Sequence, residues 1–351
     1  MQATKLAVAG LVTLSLAIPA WAAKPRIVIL ATGGTIAGAQ AEGQDAGYKS
    51  GSFKVEDLIK AVPNLDKLAS IGGEQVVNIG SQDMNDTVWL KLARRLNEVL
   101  AQPDVDAVVI THGTDTMEET GFFLSLVTKS DKPVVMVGSM RPATATGADG
   151  SANIYNAVSV AAHPGAKGRG VMVLLNDEIH HAREATKTNT TQLDTFKSPN
   201  RGKAGMTNAG RVYFYDALAT RHTKASVFSV DGLRSLPRVD IFYAHANVGR
   251  DYIDACVKLG CKGMVLAGVG DGNATGTAVA GLRDAVKTGV AVVRSSRTNS
   301  GITDRNVELN DDDLGTIASM ELNPQKARVL LMLGLTKTSD AAQLQKFFYE
   351  Y

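Results

Sequence analysis

The sequence predicts an α/β fold made of two doubly wound parallel-sheet domains, the N-terminal one larger. Two observations predict it. Short β-branched apolar runs recur along the chain, and the segments between them carry the 3.6-residue period of amphipathic helices. A third observation concerns strand ends. Most runs stop in a polar, often glycine-bearing string, and open α/β sheets gather ligands at the carboxyl ends of their strands.

The strands are RIVIL (26–30), AVVI (107–110), VVMV (134–137), VMVLL (171–175), IFYA (241–244), MVLA (264–267) and VAVV (290–293). None alternates apolar with polar residues, which is how a strand covered on both faces reads. Between them, TVWLKLARRLNEVL (87–100) puts Trp89, Leu92, Leu96 and Leu100 on one stripe, with Asp86 placed to cap it. GFFLSLV (121–127), SANIYNAVSVAA (151–162), DYIDACVKLG (251–260), TAVAGLRDAVKTG (277–289) and PQKARVLLMLGL (324–335) read similarly. Pro324 suits a first helical turn. Strand–helix alternation of this kind defines the α/β class. Residues 216–238, DALATRHTKASVFSVDGLRSLPR, follow neither period. They divide the chain into an N-terminal domain over 23–215, a linker over 216–237 and a C-terminal domain over 238–351.

The N-terminus is different in kind. Lys5 precedes the apolar run LAVAGLVTLSLAI (6–18), and Ala20-Trp21-Ala22 forms a small-x-small site. This pattern predicts a cleavable signal peptide over residues 1–22 and export to the periplasm or beyond. The run is short for a membrane span. A net charge of +2 with 21% charged residues gives no electrostatic footprint for nucleic acid or an anionic membrane. The spacing of Cys256 and Cys261 fits neither CxxC nor a zinc site, so a local bridge and two packed thiols both stay open. His180 and His181 are adjacent and lack a partner at ligand spacing, so no metal is expected there.

Chemistry concentrates at the strand ends. TGGTIAG (32–38) matches neither GxGxxG nor a phosphate-binding loop, so nucleotide binding is not expected. Gly33 and Gly34 permit a tight turn and close backbone approach, and Thr35 is presented at its mouth as a candidate nucleophile. A threonine hydroxyl needs a base and a prepared oxyanion site to react. Tyr48, in the polar, glycine-rich stretch GAQAEGQDAGYKSG (38–51), is a candidate for orienting that proton, and the stretch reads as a lid. ITHGTDTMEET (110–120) offers Thr114 as a hydroxyl and Asp115 as a carboxylate able to hold a ligand ammonium. The bland alternative makes Asp115 the cap of the following helix. Lys187, in ATKTNTT (185–191), is either a buried proton acceptor or an ordinary loop lysine. Ser81 and Gln82, in GSQDMND (80–86), suit amino and carboxylate recognition, while Asp83 and Asp86 are expected to cap the next helix. Ser139, at the end of the 134–137 strand, joins the substrate-binding candidates.

Taken in order, ILATGGTIAG (29–38), GEQVVNIGSQDMND (73–86), ITHGTDTMEET, DKPVVMVGSMRP (131–142), TKTNTT (186–191), AVVRSSR (291–297) and LNPQKARVLL (322–331) closely resemble bacterial type II, exported L-asparaginases. The resemblance spans nearly the whole chain after residue 22. It implies hydrolysis of the side-chain amide of L-asparagine to L-aspartate and ammonia, without cofactor, with glutaminase activity as a secondary reaction. By resemblance the nucleophile falls on Thr35, the lid tyrosine on Tyr48, and the second threonine, aspartate and lysine on Thr114, Asp115 and Lys187. Ser81 and Gln82 match the residues that hold the substrate's α-groups. Glu308 matches a glutamate supplied by a neighbouring subunit, and Asn273 an asparagine beside it. The family's homotetramer and a smaller, flavodoxin-like C-terminal domain follow as expectations. Two features depart from the pattern. The cysteines do not match the disulfide of some members, and Asp271 in GDGN stands where relatives often carry asparagine. Residue chemistry without the resemblance also fits an exported amino-acid-binding protein that performs no catalysis.

Overall fold

The computed structural model describes residues 24–40 and 47–351, apart from the side chain of Tyr48. The predicted signal peptide lies outside the described residues.

The N-terminal domain carries β1 (Arg26–Gly33), β2 (Ala39–Gln40), β3 (Tyr48–Lys49), α1 (Val55–Lys60), α2 (Leu65–Leu68), β4 (Ser70–Ile79), α3 (Asp86–Leu100), β5 (Ala107–Thr111), α4 (Met117–Val127), β6 (Val134–Val137), α5 (Gly150–Ala162), β7 (Val171–Leu175) and β8 (Glu178–His181). It continues with β9 (Thr186–Lys187), β10 (Phe196–Lys197), β11 (Gly205–Asn208) and β12 (Arg211–Phe214). The C-terminal domain has β13 (Val239–Tyr243), α6 (Asp251–Lys258), β14 (Gly263–Gly268), α7 (Gly276–Lys287), β15 (Ala291–Ser296), α8 (Asp311–Leu314), β16 (Ile317–Ala318), α9 (Pro324–Gly334) and α10 (Ala341–Glu350). All seven expected strands and six expected helices form, within a few residues of their predicted ends.

The large sheet runs β12-β11-β8-β7-β6-β5-β1-β4. From β4 to β7 it is parallel. β8, β11 and β12 extend it antiparallel, so the sheet is mixed. Those edge strands are short and polar, and carry no buried-strand signal. The parallel part has the strand order 2-1-3-4-5, with the reversal at β1. That order is the flavodoxin type, and it places a crevice where the chain leaves β1 and β5. The small sheet, β13-β14-β15-β16, is wholly parallel and follows chain order without reversal. The flavodoxin-type order was expected in the C-terminal domain and is found in the N-terminal one.

Side chains of the parallel strands point alternately to the two faces. Ile27, Ile29, Val109 and Val135 pack on α1, α2 and α5. Val108, Ile110, Val134 and Met136 pack on α3 and α4. This second core is continuous with Val265, Val293 and the apolar face of α9, so one hydrophobic interior joins the two domains through α4 and α9. A third cluster fills the space between the small sheet and α6 and α7.

α3 begins one residue earlier than its expected cap implied. Asn85, not Asp86, accepts the hydrogen bond from Val88 N, at 3.2 Å. Asp83 instead accepts from Gln82 Nε2. Cys256 and Cys261 are buried free thiols, and Cys256 Sγ donates to Asp240 at 3.2 Å.

Candidate active site

The site begins with two glycines. Gly33 and Gly34 have φ of +101° and +83°, a conformation L side chains rarely adopt. A Cβ on Gly34 would lie 2.4 Å from the Cα of Gly113. The loops leaving β1 and β5 therefore touch backbone to backbone at the order reversal. Thr35 and Thr114 each follow the touching glycine and are both buried. A Cβ on Gly113 would meet Ser81 Oγ at 2.6 Å, which brings the end of β4 into the same junction.

Hydrogen bonds lock the three loops together. Gly34 N donates to Ile79 O at 2.9 Å, and Thr32 Oγ1 to Thr111 O at 2.9 Å. Ser81 Oγ accepts from Asp115 N at 3.2 Å, and Ser81 O accepts from Thr116 Oγ1 at 2.8 Å. Lys187 lies far along the chain and arrives on the ribbon formed by β9 and β10. Its Nζ donates to Thr114 Oγ1 at 2.9 Å and to Asp115 Oδ1 at 2.6 Å. Asp115 is therefore a partner of Lys187 rather than a helix cap: Thr116 occupies the cap position of α4. The Lys187 side chain is 16% exposed and the Asp115 side chain 58%, so the pair faces a cleft and keeps access to it. That cleft, about 390 Å³, is lined by Asp115, Glu118 and residues 187–190.

The remaining candidates are placed less uniformly. Gln82, next to Ser81 in the chain, is exposed. Ser139 is fully buried, and its hydroxyl donates to Arg141 O at 2.8 Å, closing its own loop. β2 and β3 pair antiparallel, Gln40 opposite Tyr48. Gly51 N donates to Gly34 O, so the polar stretch after Thr35 returns to the loop that leaves β1. The Tyr48 side chain and residues 41–46 lie outside the description. Asn273 and Glu308 meet in the C-terminal domain, Nδ2 to Oε2 at 3.1 Å. Asp271 Oδ1 accepts from Asp304 N at 2.8 Å, so its carboxylate is engaged in holding a neighbouring loop.

Two ionisable groups near the loop after β5 have shifted pKa values. His112, fully buried beside Gly113, is held neutral by desolvation, its pKa pushed down to about 4. Its Nδ1 lies 2.7 Å from Gly113 O. Glu119, in the first turn of α4, is pushed up to about 7 by burial, against the pull of Arg328. His180 Nδ1 lies 2.9 Å from Ser198 Oγ, and His181 Nε2 lies 3.3 Å from Asp216.

Sequence reasoning missed Glu118, Thr186, Asn323, Gln325 and Lys326, which join the two domains behind Asp115 and Lys187. A signal existed. Lys326 shares the helical stripe of Val329, Leu330 and Leu333, and a lysine on an apolar stripe is out of place.

Residues 26–220 match the family model described as Asparaginase, N-terminal, and residues 238–348 match the Glutaminase/Asparaginase C-terminal domain. The chain belongs to the asparaginase family of amidohydrolases. A protein named L-asparaginase 2 from Bacillus subtilis (strain 168) is 54% identical over 328 residues, covering 93% of this chain and 87% of its own length. Probable L-asparaginase periplasmic from Haemophilus influenzae is 48% identical over 351 residues, the full length of both. Among solved structures, that of a probable cytoplasmic L-asparaginase from Campylobacter jejuni superposes with a TM-score of 0.90 at 48% identity. It covers 93% of this chain and all of that one. The two-domain α/β architecture is thus that of the family.

Proposed function

We propose that the protein hydrolyses the side-chain amide of L-asparagine to L-aspartate and ammonia. The observation that carries this reading is the Lys187–Thr114–Asp115 cluster, assembled where the loops leaving β1 and β5 touch. It places an amine, a hydroxyl and a carboxylate beside the loop of a second threonine, which is what two-step amide hydrolysis asks of a cofactor-free site.

In this reading Asp115 holds the substrate's α-ammonium, with Ser81 and Gln82 on its α-groups. The Thr35 hydroxyl attacks the amide carbon, and Tyr48 helps to remove its proton. Backbone N–H groups near Thr114 stabilise the oxyanion. The proton passes to the amide nitrogen, the C–N bond breaks, and ammonia leaves a β-aspartyl ester on Thr35. Water, activated through Thr114 and Lys187, adds to the ester and restores the threonine. Glutamine is a secondary substrate. Asn273 and Glu308 complete the site of a neighbouring subunit in a homotetramer, after export directed by residues 1–22.

A coupled ammonia assay with L-asparagine, L-glutamine and no substrate tests the reaction, since a binding protein releases no ammonia. Hydroxylamine trapping with mass spectrometry tests the ester. Activity surviving Thr35→Ala, with no adduct on Thr35, would overturn the covalent route.

A further inference from the structure

Lys326 belongs to the first turn of α9, yet its side chain is buried, with the residue 2% exposed. Desolvation pulls its pKa below the ordinary lysine value, against the attraction of Glu118 and Glu184. Arg183, also close, adds to the lowering. An ammonium placed so deep is costly unless its donors are satisfied. Lys326 Nζ donates to Ala185 O and to Thr186 Oγ1, the latter at 3.2 Å, and lies 3.7 Å from Glu118. Its neighbours reach the same two residues. Asn323 Nδ2 donates to Glu118 at 3.4 Å and to Thr186 Oγ1 at 3.3 Å. Gln325 Nε2 donates to Glu118 at 2.7 Å.

Both residues gripped in this way adjoin the site. Thr186 precedes Lys187, and Glu118 follows Asp115 by three residues, in the first turn of α4. β9 pairs with β10 over two residues only, outside the large sheet, so its own ladder is a weak anchor for Lys187. We propose that Lys326, with Asn323 and Gln325, is a positioning residue for the reaction. It clamps Thr186 to Glu118, so that the C-terminal domain sets the geometry of Lys187 against Thr114 and Asp115. The inference rests on the proposed amide hydrolysis.

The test uses the full-length protein and its Lys326→Met and Thr186→Val variants. Ammonia release from L-asparagine is measured across pH, alongside thermal melts. The expected result is a fall in kcat of about 10- to 100-fold, the scale of a small misplacement in a catalytic site, with KM changed much less. The pH profile of kcat also changes, which a loss of stability alone would not produce. If Lys326→Met fails to fold, Thr186→Val, which keeps side-chain shape, decides by the same criteria. Wild-type kcat and pH profile with only a lowered melting temperature would overturn the inference alone. Absence of ammonia release from the unmodified protein would overturn the reaction and the inference together.

Discussion

The two sheets end alike in sequence and differently in space. At the carboxyl edge of the large sheet, the loops that carry Thr35 and Thr114 touch, and Asp115, with Lys187 brought to it, lines an open cleft. At the edge of the small sheet the strings GVGDGN and RSSRTNSG are as polar, yet the buried charge there is paired within the fold. Arg294 is fully buried and donates to both oxygens of Asp311 and to the carbonyls of Asp271, Gly272 and Asp304. Desolvation pushes the Asp311 carboxyl up, but hydrogen bonds from Arg294, Thr316 and the backbone of Asn306 hold it below the usual carboxylate range. Both regions spend charge at strand ends. One saturates it within the fold and becomes a structural knot, while the other leaves part of it facing solvent and can meet a ligand. Polarity at a strand end therefore marks a candidate, and hydrogen-bond saturation decides what it becomes.

The comparison can be broken most directly at Thr35. Thr35→Ala should lower kcat for asparagine by at least about 10³-fold, as loss of a nucleophile does, while the melting temperature stays close to that of the parent. A large loss of stability with kcat intact would mean that this edge is also structural. The converse substitution is Asp311→Ala, which strands the Arg294 guanidinium without its carboxylate. Breaking one side of a buried pair costs about 3–5 kcal/mol, so denaturant unfolding should show a loss of that size. A loss below about 1 kcal/mol would mean that the three remaining acceptors suffice.

Glycines sharpen the contrast. Gly34→Ala puts a Cβ 2.4 Å from the backbone of Gly113 at a φ of +83°, so the β1–β5 junction must open. A fall in kcat of about 10²-fold is expected from such displacement. Gly270 also has a positive φ, +52°, but a Cβ there meets nothing within 4 Å. Gly270→Ala should cost only about 1 kcal/mol of backbone strain, with kcat retained. Equal effects of the two substitutions on kcat would erase the distinction between the edges.

The smallest effect concerns Glu119, half-buried beside Arg328, 3.8 Å away. Its native pKa of about 7 stands above the ordinary glutamate value of 4.5. Below the lower value both states are protonated and nothing is lost. Between the two, the unfolded chain ionises first and native stability falls as pH rises. Above the higher value the penalty is complete, of order 1–3 kcal/mol. Glu119→Gln should therefore leave the melting temperature unchanged near pH 4 and raise it at pH 8. A gain of equal size at both pH values would point to packing instead.

Apolar runs and helical stripes carried most of the architecture, because a strand buried on both faces cannot be written any other way. The edge strands β8, β11 and β12 escaped because they are short and half polar, with no period long enough to register. Asp115 read equally well as a cap or as a site residue, and only the arrival of Lys187 from 72 residues away separated the two. The motifs from TGGT to TKTNTT carried the family because spacing and identity survive in one dimension. Sequence by itself determined the elements, the strand-end chemistry and the resemblance, all of which depend on local pattern. Tertiary structure alone decided which polar ends meet and which are already satisfied. It also decided that a lysine of the second domain reaches behind the first domain's site. Those outcomes depend on contacts between residues far apart in the chain, and local pattern does not record them.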